Sequence, residues 1–191
     1  APLRQIQEVK NAIPTRQGEV VTVKTAVSAV SSDGAKLNMQ ELEGKTFASL
    51  KAEGEKLWEG QLSKFKIDAT PEQRETFYTS VYHAFLHPFI FQDADGKFRE
   101  LDKNIGQAEG FTNYTVFSLW DTYRAAHPFY TLVIPERVDG FVNSLIEQGE
   151  VQGFLPIWGL WGKENFCMIG NHGVSVIAEA YRKGFRGFDA E

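Results

Sequence analysis

One stretch of this sequence, Glu109 to Pro128, combines aromatic and charged side chains in a pattern that could bind a polyol. An aromatic ring can cover the C–H face of a sugar, while carboxylate and guanidinium groups hydrogen-bond its hydroxyls. A core helix with a charged rim would have the same composition, so the residues alone leave both interpretations open. The aromatic members are Phe111, Tyr114, Phe117, Trp120 and Tyr123, and the polar ones are Glu109, Asn113, Asp121, Arg124 and His127.

Three carboxylates lie in aromatic surroundings, at Glu109, Asp121 and Glu164. Two such groups flanking a sugar would be the acid and base of a glycosidase, but spacing alone does not show that any two face each other. The sequence contains no P-loop, GxSxG, GxGxxG or HExxH motif, so it does not support the chemistry of those sites. Cys167 and His172 could form a thiol–imidazole pair, although neither lies in a recognisable catalytic context.

Composition and charge narrow the class of protein. The 191 residues, 42% hydrophobic and 24% charged, suggest one globular domain, or one and part of another. The net charge of −5 argues against nucleic acid and against an anionic membrane as partners. No window approaches 18 continuous apolar residues, as a membrane span requires. The first ten residues lack the apolar core of a signal peptide, but a mature exported protein would look the same.

The order of elements begins with a predicted strand. Residues 19–30, EVVTVKTAVSAV, alternate with period two and are rich in β-branched side chains. A strand needs neighbours, and the one nearby candidate, residues 3–13, is a poor partner. We therefore interpret residues 19–30 as the last strand of a sheet whose remainder is missing.

After Gly34 the pattern becomes mostly helical. A short helix is expected from Ala35 to Leu42, and Thr46 is expected to cap a longer one. Gly54 and Gly60 weaken that second helix by about 1 kcal/mol each relative to alanine, unless close packing compensates.

Later helices carry clear start signals. Thr70 and Gln73 form a capping box with Pro71 at the first helical position, and Pro135 begins a further helix. A helix after His172 is expected to stop at Gly184, and residues 187–191 are expected to begin another.

Between the helices, Asp95-Gly96 is a strong turn signal that predicts a β-hairpin near residues 89–100. An EF-hand calcium loop does not fit, because Phe91 would occupy its first ligand position and Asp102 its twelfth.

Further along the chain, residues 153–162 form an aromatic loop in which Trp158 and Trp161 could be core or a ring-stacking platform. The single Cys167, flanked by apolar residues, is predicted to be a buried structural thiol.

Several long blocks of the sequence resemble glycoside hydrolase family 92, the calcium-dependent α-mannosidases of bacteria. The similarity runs in unbroken order over residues 17–191. Its blocks are residues 77–83 (FYTSVYH) with Pro88, 93–96 (DADG), 109–128, 135–137 (PER) and 167–172 (CMIGNH). The passage VTVKTAVSAVSSDGAKLNM also resembles the family's exit from its N-terminal β-sandwich.

The resemblance implies a parent enzyme several times longer, with a β-sandwich followed by an (α/α)6 helical toroid. The chain would then be mainly α, with the last strand of the sandwich and one hairpin. Residues 1–32 would be the end of the sandwich and a linker, 33–68 interdomain helices, and 69–191 the first part of the toroid.

The resemblance also implies an exo-acting, inverting hydrolysis of terminal α-mannose in N-glycans or mannan, by a secreted or periplasmic enzyme. In the family, calcium binds the mannose 2- and 3-hydroxyls, a carboxylic acid protonates the leaving oxygen, and a carboxylate activates water. The acid, the base and most calcium ligands belong to later motifs that this chain lacks, so no catalytic or metal-binding residue is expected in it.

Within the chain, the resemblance implies part of the mannose pocket. Arg124 would hold Asp121 or a sugar hydroxyl, and Lys163 departs from the family pattern, which often has Asn there. The substrate-binding residues implied are Trp120, Asp121, Arg124, Glu164, Asn171 and His172.

Three hypotheses follow for the isolated chain. It is a mannosidase fragment, inactive alone; or a non-catalytic carbohydrate-binding or scaffold domain; or one piece of a split enzyme completed by the remainder of the parent. A fragment of a toroid should expose a large apolar face. Full burial of Phe77, Phe85 and Leu145 together would contradict that expectation.

Overall fold

The computed structural model describes residues 14–190, and within them helices predominate over short strands. The α-helices are α1 (Ser32–Met39), α2 (Phe47–Leu62), α3 (Pro71–Phe85), α4 (Leu119–Thr122), α5 (Ala126–Val133), α6 (Pro135–Gln152) and α7 (His172–Arg182). A 3-10 turn, Gln40–Leu42, extends α1. The strands are β1 (Phe89–Ile90), β2 (Lys97–Arg99), β3 (Ile105–Gln107), β4 (Tyr114–Thr115), β5 (Phe117–Ser118) and β6 (Trp158–Gly159).

The helix starts follow the predicted caps. Thr46 Oγ1 accepts the N–H of Ser49 at 3.1 Å, and Ser49 Oγ accepts the N–H of Thr46 in return. Thr70 and Gln73 make the same reciprocal pair before α3, with Pro71 as the first helical residue. Both capping boxes satisfy amide groups that the first helical turn leaves free, which is why these helices begin where the sequence predicts.

The hydrophobic core is built around α6, which packs against α5, α7 and β4. Phe141 and Leu145 supply its inward face, and Phe117 of β5 and Leu119 of α4 are buried against it. The stretch singled out in the sequence therefore enters the core by its own apolar residues. The main cluster of buried residues is Val81, Phe85, Tyr114, Phe117, Leu119, Tyr130, Ile134, Phe141, Leu145 and Val176.

The predicted hairpin at residues 89–100 is only half correct. The turn forms, with the N–H of Gly96 donating to Asp93 O at 2.8 Å and the N–H of Asp93 donating to Lys97 O at 2.7 Å. The flanking strands do not pair with each other, because β1 pairs with β4 and β2 pairs with β3, both antiparallel. The partner of β1 is the buried segment β4, and a local turn signal cannot reveal a partner that lies beyond the next strand.

Two other predicted elements are absent from residues 14–190. Residues 19–28 adopt no strand, and Val20, Val23 and Val27 are exposed; no segment of the described chain pairs with them. The candidate partner at 3–13 lies outside the described residues. No helix begins in residues 187–190, where Asn143 instead donates to the carbonyl of Gly187 at 2.8 Å.

The expected exposed apolar surface is present. Leu132, Val174 and Tyr181 on α5 and α7 are 75%, 51% and 45% exposed, and Phe77 is only partly buried although Phe85 and Leu145 are buried. Outward apolar side chains on packed helices indicate surfaces that another element would cover. Over residues 14–190, no helix combines the length and the apolar character needed to cross a bilayer.

Candidate functional site

The short helix α4 presents the predicted Trp–Asp pair to solvent. Leu119 is fully buried and fastens the helix to the core, whereas Trp120 is 44% exposed and Asp121 is exposed. Ser118 lies at the N-cap position of α4, but its side chain does not bond a backbone amide. Its hydroxyl donates to the Asp121 carboxylate instead, so a ring and an oriented carboxylate lie side by side at the surface.

Part of the stretch from residue 109 to 128 is core and part is accessible to a ligand, so each of the two interpretations left open by the sequence describes some of its residues. His127 is buried and stacks among Phe117, Tyr130 and Phe141, and burial lowers its pKa to about 4. Burial also raises the pKa of Tyr130 to about 12. These residues are core, while Trp120, Asp121 and Arg124 form the accessible part.

None of the ion pairs within residues 14–190 joins Arg124 to Asp121. Its guanidinium lies over the ring of Tyr123, 5.2 Å from the ring centroid. A cation held over an aromatic face keeps its outer N–H groups available to an acceptor. Of the two roles predicted for Arg124, contact with a hydroxyl is the one this geometry favours.

The predicted site residues Asn171 and His172 lie next to the end of α4, which His172 contacts through an aromatic stack. His172, the first residue of α7, stacks on Tyr123 with ring centroids 4.1 Å apart and planes 11° apart. Its Nε2 is buried and has no hydrogen-bond partner. Asn171 precedes it at the N-cap position, exposed and without a capping bond from its side chain. The Tyr123–His172 stack therefore packs the end of α4 against the start of α7.

Glu164 lies differently from the other five predicted residues. It is 5% exposed, and both carboxylate oxygens accept backbone N–H groups of the aromatic loop. The other two carboxylates of the sequence prediction, Glu109 and Asp121, are exposed.

The two tryptophans of the aromatic loop, residues 153–162, differ in exposure. Trp158 is half-buried in β6, which pairs with β5, whereas Trp161 is 62% exposed. Trp161 and Gly162 have φ of 50° and 68°, the positive values that a type I′ hairpin turn requires. The N–H of Trp161 donates to the buried Thr115 Oγ1 at 2.8 Å, which holds this turn against β4.

The prediction of a buried thiol is wrong. Cys167 is exposed, and so are its neighbours Phe166, Met168 and Ile169.

Sequence reasoning missed two contributors to the site. One is Ser118, whose spacing of three from Asp121 is that of a side-chain pair on one helical turn. The other is Tyr123, which the sequence marks only as one aromatic residue of the stretch, and the packing of α4 against α7 reveals its stack with His172.

Outside the predicted site, two carboxylates, Glu100 and Glu147, lie close enough to affect each other's charge. Burial raises the pKa of Glu100, helped by the charge of Asp102, and burial raises the pKa of Glu147, helped by the charge of Glu100. The cavity beside them measures about 20 Å³. Such a volume holds about one water molecule, so this pair is not a sugar site.

The residues described do not fit a calcium site. In residues 14–190, no group of three or more His, Cys, Asp or Glu side chains is arranged to hold a metal ion. The side chains available for a ligand are therefore rings, one oriented carboxylate, a guanidinium and an amide.

Comparison with known proteins identifies the family. Residues 34–191 match the catalytic domain of glycosyl hydrolase family 92. A search of curated proteins found no match. Among solved structures, the family GH92 α-mannosidase BT3965 of Bacteroides thetaiotaomicron is 58% identical, with a TM-score of 0.83. The match covers 85% of this chain and 22% of that one. BT3965 has also been solved in complex with mannoimidazole.

A more distant structure gives the same result. The inverting mannosidase BT2199 of the same organism is 29% identical, with a TM-score of 0.77 and the same two coverages, 85% and 22%. The chain thus spans less than a quarter of the length of these relatives, and its helices match part of their (α/α)6 toroid. The chain belongs to glycosyl hydrolase family 92, the family of these α-mannosidases.

Proposed function

We propose that this chain supplies part of the mannose-binding pocket of an exo-acting, inverting, calcium-dependent α-mannosidase. The observation that carries the proposal is the exposed Trp120–Asp121 pair on α4, in a chain of this family. The helix α4 packs against α7, where His172 stacks on Tyr123. The half-exposed indole ring of Trp120 can cover a C–H face, and the Asp121 carboxylate accepts hydroxyl protons beside it.

The other proposed pocket residues occupy different positions around the sugar. Arg124 and Asn171 are exposed donors at the rim, and His172 forms the floor with Tyr123. Substrates are terminal α-mannose residues of N-glycans or mannan, and the enzyme is secreted or periplasmic. The calcium ligands, the acid and the base are supplied by the remainder of the parent, so the chain alone is inactive.

The domain division belongs to the same proposal. Residues 1–32 lead out of the sandwich, 33–68 connect the domains, and 69–191 open the toroid. A hydrogen-bonded contact supports a fixed junction: Asp93 accepts from Ser28 Oγ at 2.6 Å and from Asn38 Nδ2 at 2.7 Å, and Arg99 Nε donates to Ala29 O at 2.9 Å.

Binding of methyl α-mannoside, followed by saturation-transfer NMR, tests the pocket. The wild-type chain should bind weakly, and Asp121→Ala should weaken binding at least about tenfold, as loss of hydrogen bonds to a charged group implies. Asp33→Ala is the matched control, because Asp33 is an exposed carboxylate that pairs with Lys36 on α1. Equal binding by the Asp121 and Asp33 variants would overturn the proposal.

Two further measurements address the parent enzyme. Metal-dependent release of mannose by the isolated chain would contradict the claim that it is inactive alone. Native mass measurement distinguishes a lone chain of 21.5 kDa from one that co-purifies with a larger polypeptide, which would indicate a split enzyme.

A further inference from the structure

Glu164 is buried in the aromatic loop and bound there by backbone amides. Its Oε2 accepts the N–H of Ile157 at 2.8 Å, and its Oε1 accepts the N–H groups of Trp158 and Phe166, both at 3.0 Å. In the described part of the chain, no lysine or arginine forms an ion pair with it. Charge-assisted bonds of this kind are strong, so one side chain fixes both arms of the loop.

The fixed segment is the strand that supports the candidate site. Trp158 of β6 faces Ser118 of β5 in the antiparallel register. Ser118 in turn donates its hydroxyl to the Asp121 carboxylate. A continuous path of hydrogen bonds and strand pairing therefore runs from Glu164 to Asp121.

The turn between β6 and Glu164 strengthens this support. Leu160 and Lys163 exchange backbone hydrogen bonds of 2.8 and 3.1 Å, and Gly159 bridges to Glu164. Inside the turn, Trp161 has a positive φ, which costs a non-glycine residue free energy and needs surrounding contacts to persist. The amides held by Glu164 are among the contacts available to hold it.

We infer that Glu164 is a positioning residue, which orients Asp121 through β6 and β5 and does not itself touch the sugar. Both of its oxygens already accept amide protons, and 5% exposure leaves no face for a hydroxyl. The identity of the ligand rests on the proposed function, whereas the path from Glu164 to Asp121 rests on the contacts above.

A double-mutant cycle separates positioning from contact with the sugar. Glu164→Ala should weaken binding of methyl α-mannoside at least about fivefold, and it should add little once Asp121→Ala is present. Glu164→Gln should fall between, because its amide oxygen can still accept from Trp158 and Phe166 while its NH2 group faces the Ile157 N–H. Fully additive losses would indicate direct contact and overturn the inference, and so would an unchanged affinity in Glu164→Ala.

A second measurement tests the path from Glu164 to Asp121 without any ligand. If the chain binds no mannoside, the proposed function is refuted, but this measurement still tests the positioning role. Glu164→Gln should shift the backbone amide resonances of Ser118 and Asp121, although Glu164 bonds neither residue. Glu53→Gln is the matched control, because Glu53 is an exposed carboxylate of α2 that pairs with Lys45. Ser118 and Asp121 resonances that stay unchanged in folded Glu164→Gln would overturn the positioning role.

Discussion

Gly140 gives the sharpest test of the packing, because local propensity and tertiary contact predict opposite results there. It lies inside α6, where alanine is ordinarily favoured over glycine by about 1 kcal/mol. A Cβ at this position would lie 2.8 Å from Cε2 of Tyr114 and 3.0 Å from the carbonyl oxygen of Thr112. Tyr114 is buried and packs edge-on against Phe141 with ring centroids 4.6 Å apart, so its ring has little room to move.

Overpacking of this kind costs about 1–3 kcal/mol, which exceeds the gain in helix propensity. We therefore expect Gly140→Ala to lower the free energy of unfolding by up to about 2 kcal/mol. The matched control is Gly54→Ala in the middle of α2, where a Cβ would meet nothing within 4 Å. That variant should be stabilised by about 0.5–1 kcal/mol.

Urea unfolding followed by circular dichroism measures both variants, and comparison of their m-values checks that the unfolded states are alike. In thermal unfolding, a change of 1 kcal/mol corresponds to about 2–4 °C for a chain of this size. If Gly140→Ala is stabilised as much as Gly54→Ala, the close approach of α6 to Tyr114 of β4 and to Thr112 before it is refuted.

Three other predictions follow from burial. Burial lowers the pKa of His127 to about 4, against about 6.5 when unfolded. The unfolded chain therefore binds a proton that the folded chain rejects, and the free energy of unfolding should fall by about 3 kcal/mol as the pH falls from about 6.5 to about 4. His127→Gln should lose that share of the pH dependence in unfolding curves, and an unchanged pH slope would contradict the assignment. Ser144 is fully buried and its Oγ accepts the N–H of Tyr114 at 2.9 Å, so Ser144→Ala should cost about 1–3 kcal/mol in denaturant unfolding. The exposed Ser80→Ala should stay within about 0.5 kcal/mol, and equal effects would count against the buried bond. Cys167 is exposed and should react with a thiol reagent in the folded chain, whereas reaction only after unfolding would show that it is covered.

The local features of the fold could be predicted because a few adjacent residues determine them. The capping boxes at Thr46 and Thr70 and the turn at Asp95-Gly96 each close within three or four residues, so the side chains that satisfy the backbone are neighbours in sequence. Strand partners are different, because the pairing of β1 with β4 joins segments far apart and depends on which face the core buries. The strand predicted at residues 19–30 failed for the same reason, since periodicity describes a strand but supplies no neighbour.

By itself, the sequence determined the helical class, the helix starts, and the presence of an aromatic, charged segment around Trp120 and Asp121. Tertiary structure alone decided which members of that segment face solvent, because Leu119 and His127 are drawn into the core by burial of apolar area. It also brought His172 onto Tyr123, and it turned the Glu164 carboxylate inward to three backbone amides. A buried amide needs an acceptor wherever one can reach it, and that reach is set by the folded loop and not by spacing along the chain.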